Sequence, residues 1–132
     1  MTKKIIFMGL LSFVCSLLGC NAQTGMFKSV EVEEFHTVIA DSTTLLLDVR
    51  TPEEYAEGHI GNAMNIDVLN GNFLAEALKS LPKEKTIALY CRSGRRSKKA
   101  ATILAKNGYS VVELNSGYLG WTKASSIPLN KF

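Results

Sequence analysis

The segment TIALYCRSGRRSKKAATILAKNG, residues 86–108, reads as a strand, a short loop and a helix in succession. Its first part, TIALYC (86–91), is a continuous run of apolar and β-branched residues, which is typical of a buried strand. In RSKKAATILAKNG (96–108) the apolar residues recur at helical spacing, and Gly108 provides a C-terminal stop. A buried strand that leads through a short loop into an amphipathic helix is the unit from which parallel sheets are built.

The rest of the chain repeats this alternation of short apolar runs and amphipathic segments. TLLLDV (44–49) is almost continuously apolar, as expected for a parallel strand that is buried on both faces. The remaining predicted strands are FKSV (27–30), a brief AMNI (63–66) and SVVEL (110–114), and the remaining predicted helices lie near 32–39, 51–58, 72–81 and 116–124. We therefore predict an α/β fold with a mainly parallel sheet that helices cover on both faces.

The N-terminal residues have the features of a secretory signal. Lys3 and Lys4 precede a mainly apolar stretch of fourteen residues, 5–18. A bilayer-spanning helix needs about 20 apolar residues, whereas the apolar region of a signal peptide is shorter. A transmembrane anchor or a buried N-terminal helix is the alternative interpretation.

The segment Leu17-Leu18-Gly19-Cys20 resembles the lipobox of bacterial lipoproteins. In that family the cysteine is lipidated and the signal is cleaved just before it, so that the protein is anchored through lipid. The resemblance implies a signal peptide over 1–19, a lipidated Cys20 with a short tether over 20–26, and one domain over 27–132. It also implies a protein of the bacterial cell envelope that is held at the membrane by its lipid and faces the periplasm.

Three cysteines occur in the chain, at positions 15, 20 and 91. Cys15 would leave with the signal and Cys20 would carry the lipid, so Cys91 alone would remain as a thiol. A single thiol in an exported protein indicates a reactive group or an intermolecular bridge. An inert buried cysteine is the structural alternative.

Charge is distributed unevenly along the sequence. Residues 29–67 contain nine acidic residues and one basic residue, whereas residues 79–106 contain nine basic residues and one acidic residue. A basic segment can bind nucleic acid, but an exported lipoprotein rarely meets any, so we expect no nucleic-acid partner. A small anion is the ligand that this basic segment fits better.

Cys91 lies where an α/β fold presents its chemistry, at the carboxyl end of a predicted strand. Gly94 lets the loop backbone turn tightly, so that successive N–H groups and the N-terminus of the next helix point at one spot. These dipoles, together with the charges of Arg92, Arg95 and Arg96, predict a lowered pKa for the Cys91 thiol. The sequence thus predicts a cradle for a sulfur anion or an oxyanion.

Two classes of reaction use such a cradle, and loop length distinguishes them. Cysteine phosphatases grip phosphate with an arginine six residues after the cysteine, but that position is Ser97 in this chain. Arg96 comes one residue earlier, so the loop is shorter and fits a single sulfur atom better than a tetrahedral phosphate. A phosphatase or an arsenate reductase is the alternative on this pattern.

Three ordered motifs make the chain similar to a single-domain rhodanese, a thiosulfate sulfurtransferase. They are the loop CRSGRR (91–96), the upstream segment DVRTPEEYAEGHIGNAMNI (48–66) and the C-terminal segment VVELNSGYLGW (111–121). The likeness covers about residues 27–125. Asp67 in place of a proline and Ser116 in place of a glycine depart from the family pattern, and both lie outside the loop.

The resemblance implies a rhodanese-like three-layer fold with a sheet of about five strands. It implies that Cys91 is the catalytic residue and that the substrate-binding loop consists of Arg92, Ser93, Gly94, Arg95, Arg96 and Ser97. A donor such as thiosulfate would leave its sulfur on Cys91 as a persulfide, and cyanide or a thiol would accept it. We expect no cofactor, no metal and a monomeric protein. The alternative is a thiol-dependent binding or redox-partner module of the cell envelope that does not turn over thiosulfate.

The other polar residues of the motifs are expected to support the structure. Asp48, Arg50 and His59 are assigned to a supporting network of hydrogen bonds and ion pairs, with His59 as a turn residue and not a base for Cys91. Solvated helix faces are expected for Lys98 and Lys99 and for the acidic residues Glu53, Glu54 and Glu57. Tyr118 and Trp121 are expected to be part of the core.

Overall fold

The computed structural model describes residues 25–126 of the chain. The predicted signal peptide, Cys20 and most of the predicted tether lie outside the described residues. The strands are β1 (Lys28–Val30), β2 (Thr44–Asp48), β3 (Met64–Asn65), β4 (Thr86–Tyr90) and β5 (Val111–Leu114). The helices are α1 (Val32–Ala40), α2 (Pro52–Glu57), α3 (Phe73–Ser80), α4 (Arg95–Lys106) and α5 (Gly117–Ser125).

The five strands in the described part of the chain form one parallel sheet, in the order β1-β5-β4-β2-β3. The central strand β4 pairs with β2 and with β5, so that Tyr90 lies opposite Asp48 and Leu89 lies opposite Glu113. Because the three strands run in the same direction, the residues that follow them meet at one edge of the sheet. The predicted α/β fold with a mainly parallel sheet of about five strands is confirmed.

The sheet separates two apolar cores, because successive side chains of a strand point to opposite faces. Ile87, Leu89 and Cys91 lie in the core that α3 and α4 cover. Ala88 and Tyr90 lie in the core that α1, α2 and α5 cover. Residues 87–91 are therefore all buried, which explains their continuous apolar pattern and produces the three layers.

Local sequence signals determine where the helices beside this edge begin. Helix α2 begins at Pro52, after Thr51, whose Oγ1 accepts a hydrogen bond from the Glu54 N–H at 3.3 Å. The Glu54 side chain accepts in return from the Thr51 N–H at 3.2 Å, which completes a capping box. Helix α4 begins at Arg95, one residue earlier than predicted, because Gly94 adopts a φ of +98° and turns the chain directly into the helix. Among residues 25–126, no helix is both long enough and apolar enough to cross a bilayer.

Candidate active site

Cys91 follows the last residue of β4 at the carboxyl edge of the sheet, and only 1% of it is exposed. The chain turns at Gly94, whose φ of +98° lies in the left-handed region that favours glycine. A Cβ atom at this position would lie 2.0 Å from the carbonyl oxygen of Asn115. The glycine of the CRSGRR loop is therefore required both by the backbone conformation and by the available space.

The Cys91 sulfur is surrounded by hydrogen-bonding groups of the loop and of the first turn of α4. The Gly94 N–H donates to Sγ at 3.1 Å, and the Cys91 thiol donates to Ser97 Oγ at 3.4 Å. Burial raises the pKa of the Cys91 thiol, but hydrogen bonds that the thiolate can accept from Ser97 and from the backbone N–H groups of Gly94 and Ser93 lower it more. The pKa of Cys91 is therefore below its ordinary value, in the direction predicted from the loop sequence.

Helix α5 holds the loop from its other side. The Tyr118 N–H donates to the carbonyl oxygen of Cys91 at 2.8 Å, and the Leu119 N–H donates to that of Arg92 at 3.0 Å. Gly117 has a φ of +65°, and a Cβ atom there would lie 2.4 Å from the Arg92 carbonyl oxygen. The glycine of the C-terminal motif thus allows unpaired N–H groups at the start of α5 to bind the loop backbone.

The three arginines of the loop segment have different environments. Arg92 and Arg95 are exposed, where they can meet an anion that approaches Cys91. Arg96 instead donates from both terminal nitrogens to the carboxylate of Glu54, at 2.7 and 2.9 Å. These hydrogen bonds lower the pKa of Glu54 to about 2. The expectation that Glu54 belongs to a solvated helix face is wrong, because Glu54 caps α2 and binds Arg96.

Lys98 is a second polar residue with more contacts than its sequence pattern indicates, although 44% of its side chain is exposed. Its Nζ donates to the carbonyl oxygen of Gly94 at 3.1 Å and to Asn115 Oδ1 at 2.8 Å, and it lies 3.2 Å from Glu113 Oε1. Residues four positions apart share a helix face, so a lysine in the first turn of α4 can reach back to Gly94. Lys98 therefore supports the loop, whereas Lys99 is exposed as expected.

Glu113 is a buried acidic residue behind the loop, and the three sequence motifs predict no role for it. It lies in β5 with none of its surface exposed, and it accepts hydrogen bonds from the hydroxyl groups of Ser97 and Ser29. Ser97 consequently contacts both Glu113 and Cys91. One signal in the sequence could have identified Glu113, namely a charged residue inside the apolar run SVVEL, because a buried charge needs partners.

Asp48 and Arg50 form a buried ion pair where β2 ends. Both carboxylate oxygens of Asp48 accept hydrogen bonds from Arg50, at 2.7 to 3.1 Å, and Arg50 Nη2 also donates to the Gly58 carbonyl at 2.7 Å. The His59 side chain makes its hydrogen bond within its own turn and not to this ion pair. Its ring stacks on that of Tyr55 at a centroid distance of 3.8 Å, and its Nδ1 is hydrogen-bonded to the Tyr55 carbonyl oxygen at 3.1 Å. Local bonding of this kind is what we expected of a turn residue.

A cleft of about 210 Å³ opens beside the loop, between α2 and α5. Arg50 and Arg92 line it together with Glu57, Tyr118 and Leu119. The Tyr118 ring centroid lies 4.2 Å from the Arg50 guanidinium carbon, so the arginine of the buried ion pair packs against the tyrosine in this wall of the cleft. In the part of the chain that the structure describes, no three histidine, cysteine or carboxylate side chains come together to hold a metal ion.

Comparison with known proteins agrees with this geometry. The model of the rhodanese-like domain family matches residues 31–124. A sulfurtransferase of Allochromatium vinosum is 32% identical over 100 residues, which cover 74% of this chain and 91% of that protein. A tRNA uridine(34) hydroxylase of Pelagibacter ubique is 34% identical over 122 residues, which cover 92% of this chain but 38% of that protein. The crystal structure of a rhodanese-related protein from Thermoplasma volcanium has a TM-score of 0.64 at 29% identity, over 77% of this chain and 96% of that one.

The chain therefore belongs to the rhodanese-like domain family. The family membership that the three motifs indicated is confirmed, and the described fold is that of the solved relative. A sulfurtransferase among the relatives supports sulfurtransferase activity at the level of the family. The catalytic role of Cys91 and the substrate-binding roles of residues 92–97 stay predictions.

Proposed function

We propose that the protein is a sulfurtransferase that moves sulfane sulfur from a donor such as thiosulfate to cyanide or a thiol, through a persulfide on Cys91. The proposal rests chiefly on Cys91, which is almost completely buried at the carboxyl edge of a parallel sheet and has hydrogen-bond partners that lower the pKa of its thiol. A lowered pKa favours the thiolate, which is the nucleophilic form of cysteine. Membership of the rhodanese-like family supports the same class of reaction.

The reaction has two halves, and Cys91 is the nucleophile only in the first. Its thiolate attacks the outer sulfur of thiosulfate, a new sulfur–sulfur bond forms, and sulfite leaves with the electron pair of the bond that breaks. Cyanide or a thiolate then attacks the outer sulfur of the persulfide. The electron pair of that second sulfur–sulfur bond returns to Cys91, so the two halves balance without an external oxidant or reductant.

The residues around Cys91 favour sulfur over phosphate as the transferred group. Fixed N–H groups such as that of Gly94 can stabilise the negative charge of the thiolate and of the persulfide. Ser97 occupies the position where a phosphatase has its arginine, and Arg96 is bound to Glu54. A phosphate in this loop would therefore lack the bidentate arginine that stabilises its charge as it reacts.

The test is the transfer of sulfur from thiosulfate to cyanide by the wild type, by Cys91→Ser and by Lys99→Ala. Wild type and Lys99→Ala, which changes an exposed residue of α4, should form thiocyanate, and Cys91→Ser should form none. Intact mass of the wild type after thiosulfate treatment should increase by one sulfur atom, and a reductant should remove it. Hydrolysis of an aryl phosphate that depends on Cys91, with no persulfide in the mass spectrum, would refute the proposal. Absence of both activities would favour the binding or redox-partner module.

We also propose that the protein is a monomer, exported and anchored by a lipid on Cys20 in the bacterial cell envelope, facing the periplasm. The support is the apolar stretch that ends in Leu17-Leu18-Gly19-Cys20. Cys20→Ala should leave the precursor uncleaved and without lipid, whereas Cys15→Ala, a matched change within the same signal, should be processed normally. Lipid labelling and membrane fractionation measure both effects. Unchanged labelling of Cys20→Ala would refute the lipid anchor.

A further inference from the structure

A chain of hydrogen bonds leads from the Cys91 sulfur into the core beneath the loop. The Cys91 thiol donates to Ser97 Oγ at 3.4 Å, and the Ser97 hydroxyl donates to Oε2 of Glu113. Ser97 and Glu113 are completely buried, and Cys91 is 1% exposed. Sulfur transfer uses Cys91 directly, but the reaction alone gives no reason for a carboxyl group two hydrogen bonds behind it.

The other oxygen of this carboxyl group already has its partners. The Ser29 hydroxyl of β1 donates to Oε1, and the Lys98 ammonium of α4 lies 3.2 Å from the same atom. The charged or titratable groups around Glu113 are thus Lys98 and, through Ser97, Cys91 at the end of β4, whereas β1 contributes only a neutral hydroxyl. Ser97 is left as the partner of Oε2.

Ser97 has a single hydroxyl proton, so it can donate to Glu113 or to a Cys91 thiolate but not to both at once. When Glu113 is a carboxylate, the hydroxyl donates to it, and Cys91 keeps its proton and donates to Ser97. When Glu113 carries the proton, the hydroxyl is free to donate to the thiolate. The two acids therefore depend on one another through this hydroxyl.

We propose that Glu113 is a positioning residue that shares one proton with Cys91 through Ser97. In this transfer the Sγ–H bond breaks and its electron pair stays on sulfur. The proton binds Ser97 Oγ, and the original Ser97 proton moves to Oε2 of Glu113. The net charge of the cluster does not change, so a thiolate forms without placing a second anion in the core, where an additional charge is costly. The reverse transfer restores the thiol.

The rate of Cys91 alkylation as a function of pH tests this proposal, because only the thiolate reacts. Two strongly coupled acids titrate as a pair, and while the pair holds one proton the thiolate fraction does not depend on pH. The wild type should therefore show two steps separated by a plateau. Glu113→Gln and Ser97→Ala each interrupt the hydrogen-bonded path from Cys91 to Glu113. Their alkylation rates should therefore show one step, and below the midpoint of that step the rate should fall about tenfold per pH unit.

Two controls separate proton sharing from a general structural effect. Glu33→Gln removes an exposed carboxylate of α1, and Ser97→Thr retains the hydroxyl, so both should keep the plateau. Circular dichroism reports whether each variant is folded, and Ser97→Ala provides the test if Glu113→Gln does not fold. A single step in the wild type, or a plateau that persists in Ser97→Ala, would overturn the proposal. The inference rests on the proposed function because it takes Cys91 as the nucleophile. Alkylation of Cys91 needs no sulfur donor, so it can show proton sharing even if sulfur transfer is absent, and the two proposals can fail separately.

Discussion

Replacement of Glu54 by glutamine measures how much the ion pair between Glu54 and Arg96 stabilises the folded protein. Glu54 accepts two hydrogen bonds from Arg96, at 2.7 and 2.9 Å, and the side chains of Glu54 and Arg96 are 22% and 23% exposed. Glutamine keeps the shape of the side chain but has no charge and only one acceptor oxygen, so the bidentate ion pair is lost. We expect Glu54→Gln to fold but to be less stable than the wild type.

The pKa of Glu54 gives the magnitude of this loss. Hydrogen bonds with Arg96 hold the pKa at about 2, compared with an ordinary value of 4.5. This difference corresponds to about 3 kcal/mol in favour of the ionised form in the folded protein. Because solvent reaches both side chains and screens the pair, we expect Glu54→Gln to lower the free energy of unfolding by about 2 kcal/mol at pH 7.

The same stabilisation should depend on pH in a defined direction. Since the folded-state pKa is lowered, the stabilisation is complete above about pH 5 and is lost as the pH falls towards about 2, because the unfolded chain binds the proton first. Urea unfolding should therefore show that the difference between wild type and Glu54→Gln at pH 3 is less than about half of its value at pH 7. Glu53→Gln, at an exposed position on the same helix, is the control and should have little effect. Equal differences at both pH values, or a loss below about 0.5 kcal/mol at pH 7, would refute this reasoning.

Other substitutions test the loop turn, the buried ion pair and the exposed charge. Gly94→Ala would place a Cβ atom 2.0 Å from the Asn115 carbonyl oxygen at a left-handed φ, so we expect slower Cys91 alkylation. Urea unfolding should show a loss of about 2 kcal/mol or more for this variant, and wild-type stability would contradict the role of the glycine. Asp48→Asn leaves the Arg50 charge buried without its carboxylate, so the free energy of unfolding should fall by about 3–5 kcal/mol in the same assay. A loss below about 1 kcal/mol would contradict the importance of this buried ion pair. Arg92→Ala should raise the KM for thiosulfate, and this effect should shrink as salt increases, because exposed charges are screened over about 10 Å at 0.1 M. An effect that is independent of salt would contradict long-range attraction by Arg92.

The strand–loop–helix unit around Cys91 could be predicted almost to the residue. TIALYC predicts a strand over 86–91 and the structure has Thr86–Tyr90, because a continuous apolar run marks a strand that is buried on both faces. The helix that follows begins at Arg95, within one residue of its prediction, since its apolar face recurs over several turns. The edge strand β3 spans only Met64–Asn65 within the predicted 63–66, because so short a strand has no periodicity from which to read its ends.

The polar contacts of the site could be predicted less well, because they join residues that are far apart in the sequence. Arg96 and Glu54 are separated by 42 positions, and neither the loop motif that contains Arg96 nor the acidic helix that contains Glu54 indicates that they pair. The contact of Lys98 with Glu113 could not be predicted for the same reason, since Glu113 lies on a strand that the sheet topology brings beside α4. The cysteine and the glycine of the loop could be identified from sequence because their chemistry and backbone geometry are local.

The pairing of β1 with β5 affects how the domain folds. Ser29 lies opposite Glu113 in the register of these strands, and the two residues are 84 positions apart in the sequence. Contacts of such separation form slowly, because the entropy of closing a long stretch of chain must be overcome before the contact stabilises anything. The contacts of the Cys91 loop with helix α5 join residues at most 27 positions apart, such as Cys91 and Tyr118, so the loop can form while β1 is still undocked. We therefore expect Cys91 to be more open to oxidation in a refolding chain than in the folded domain, where 1% of it is exposed.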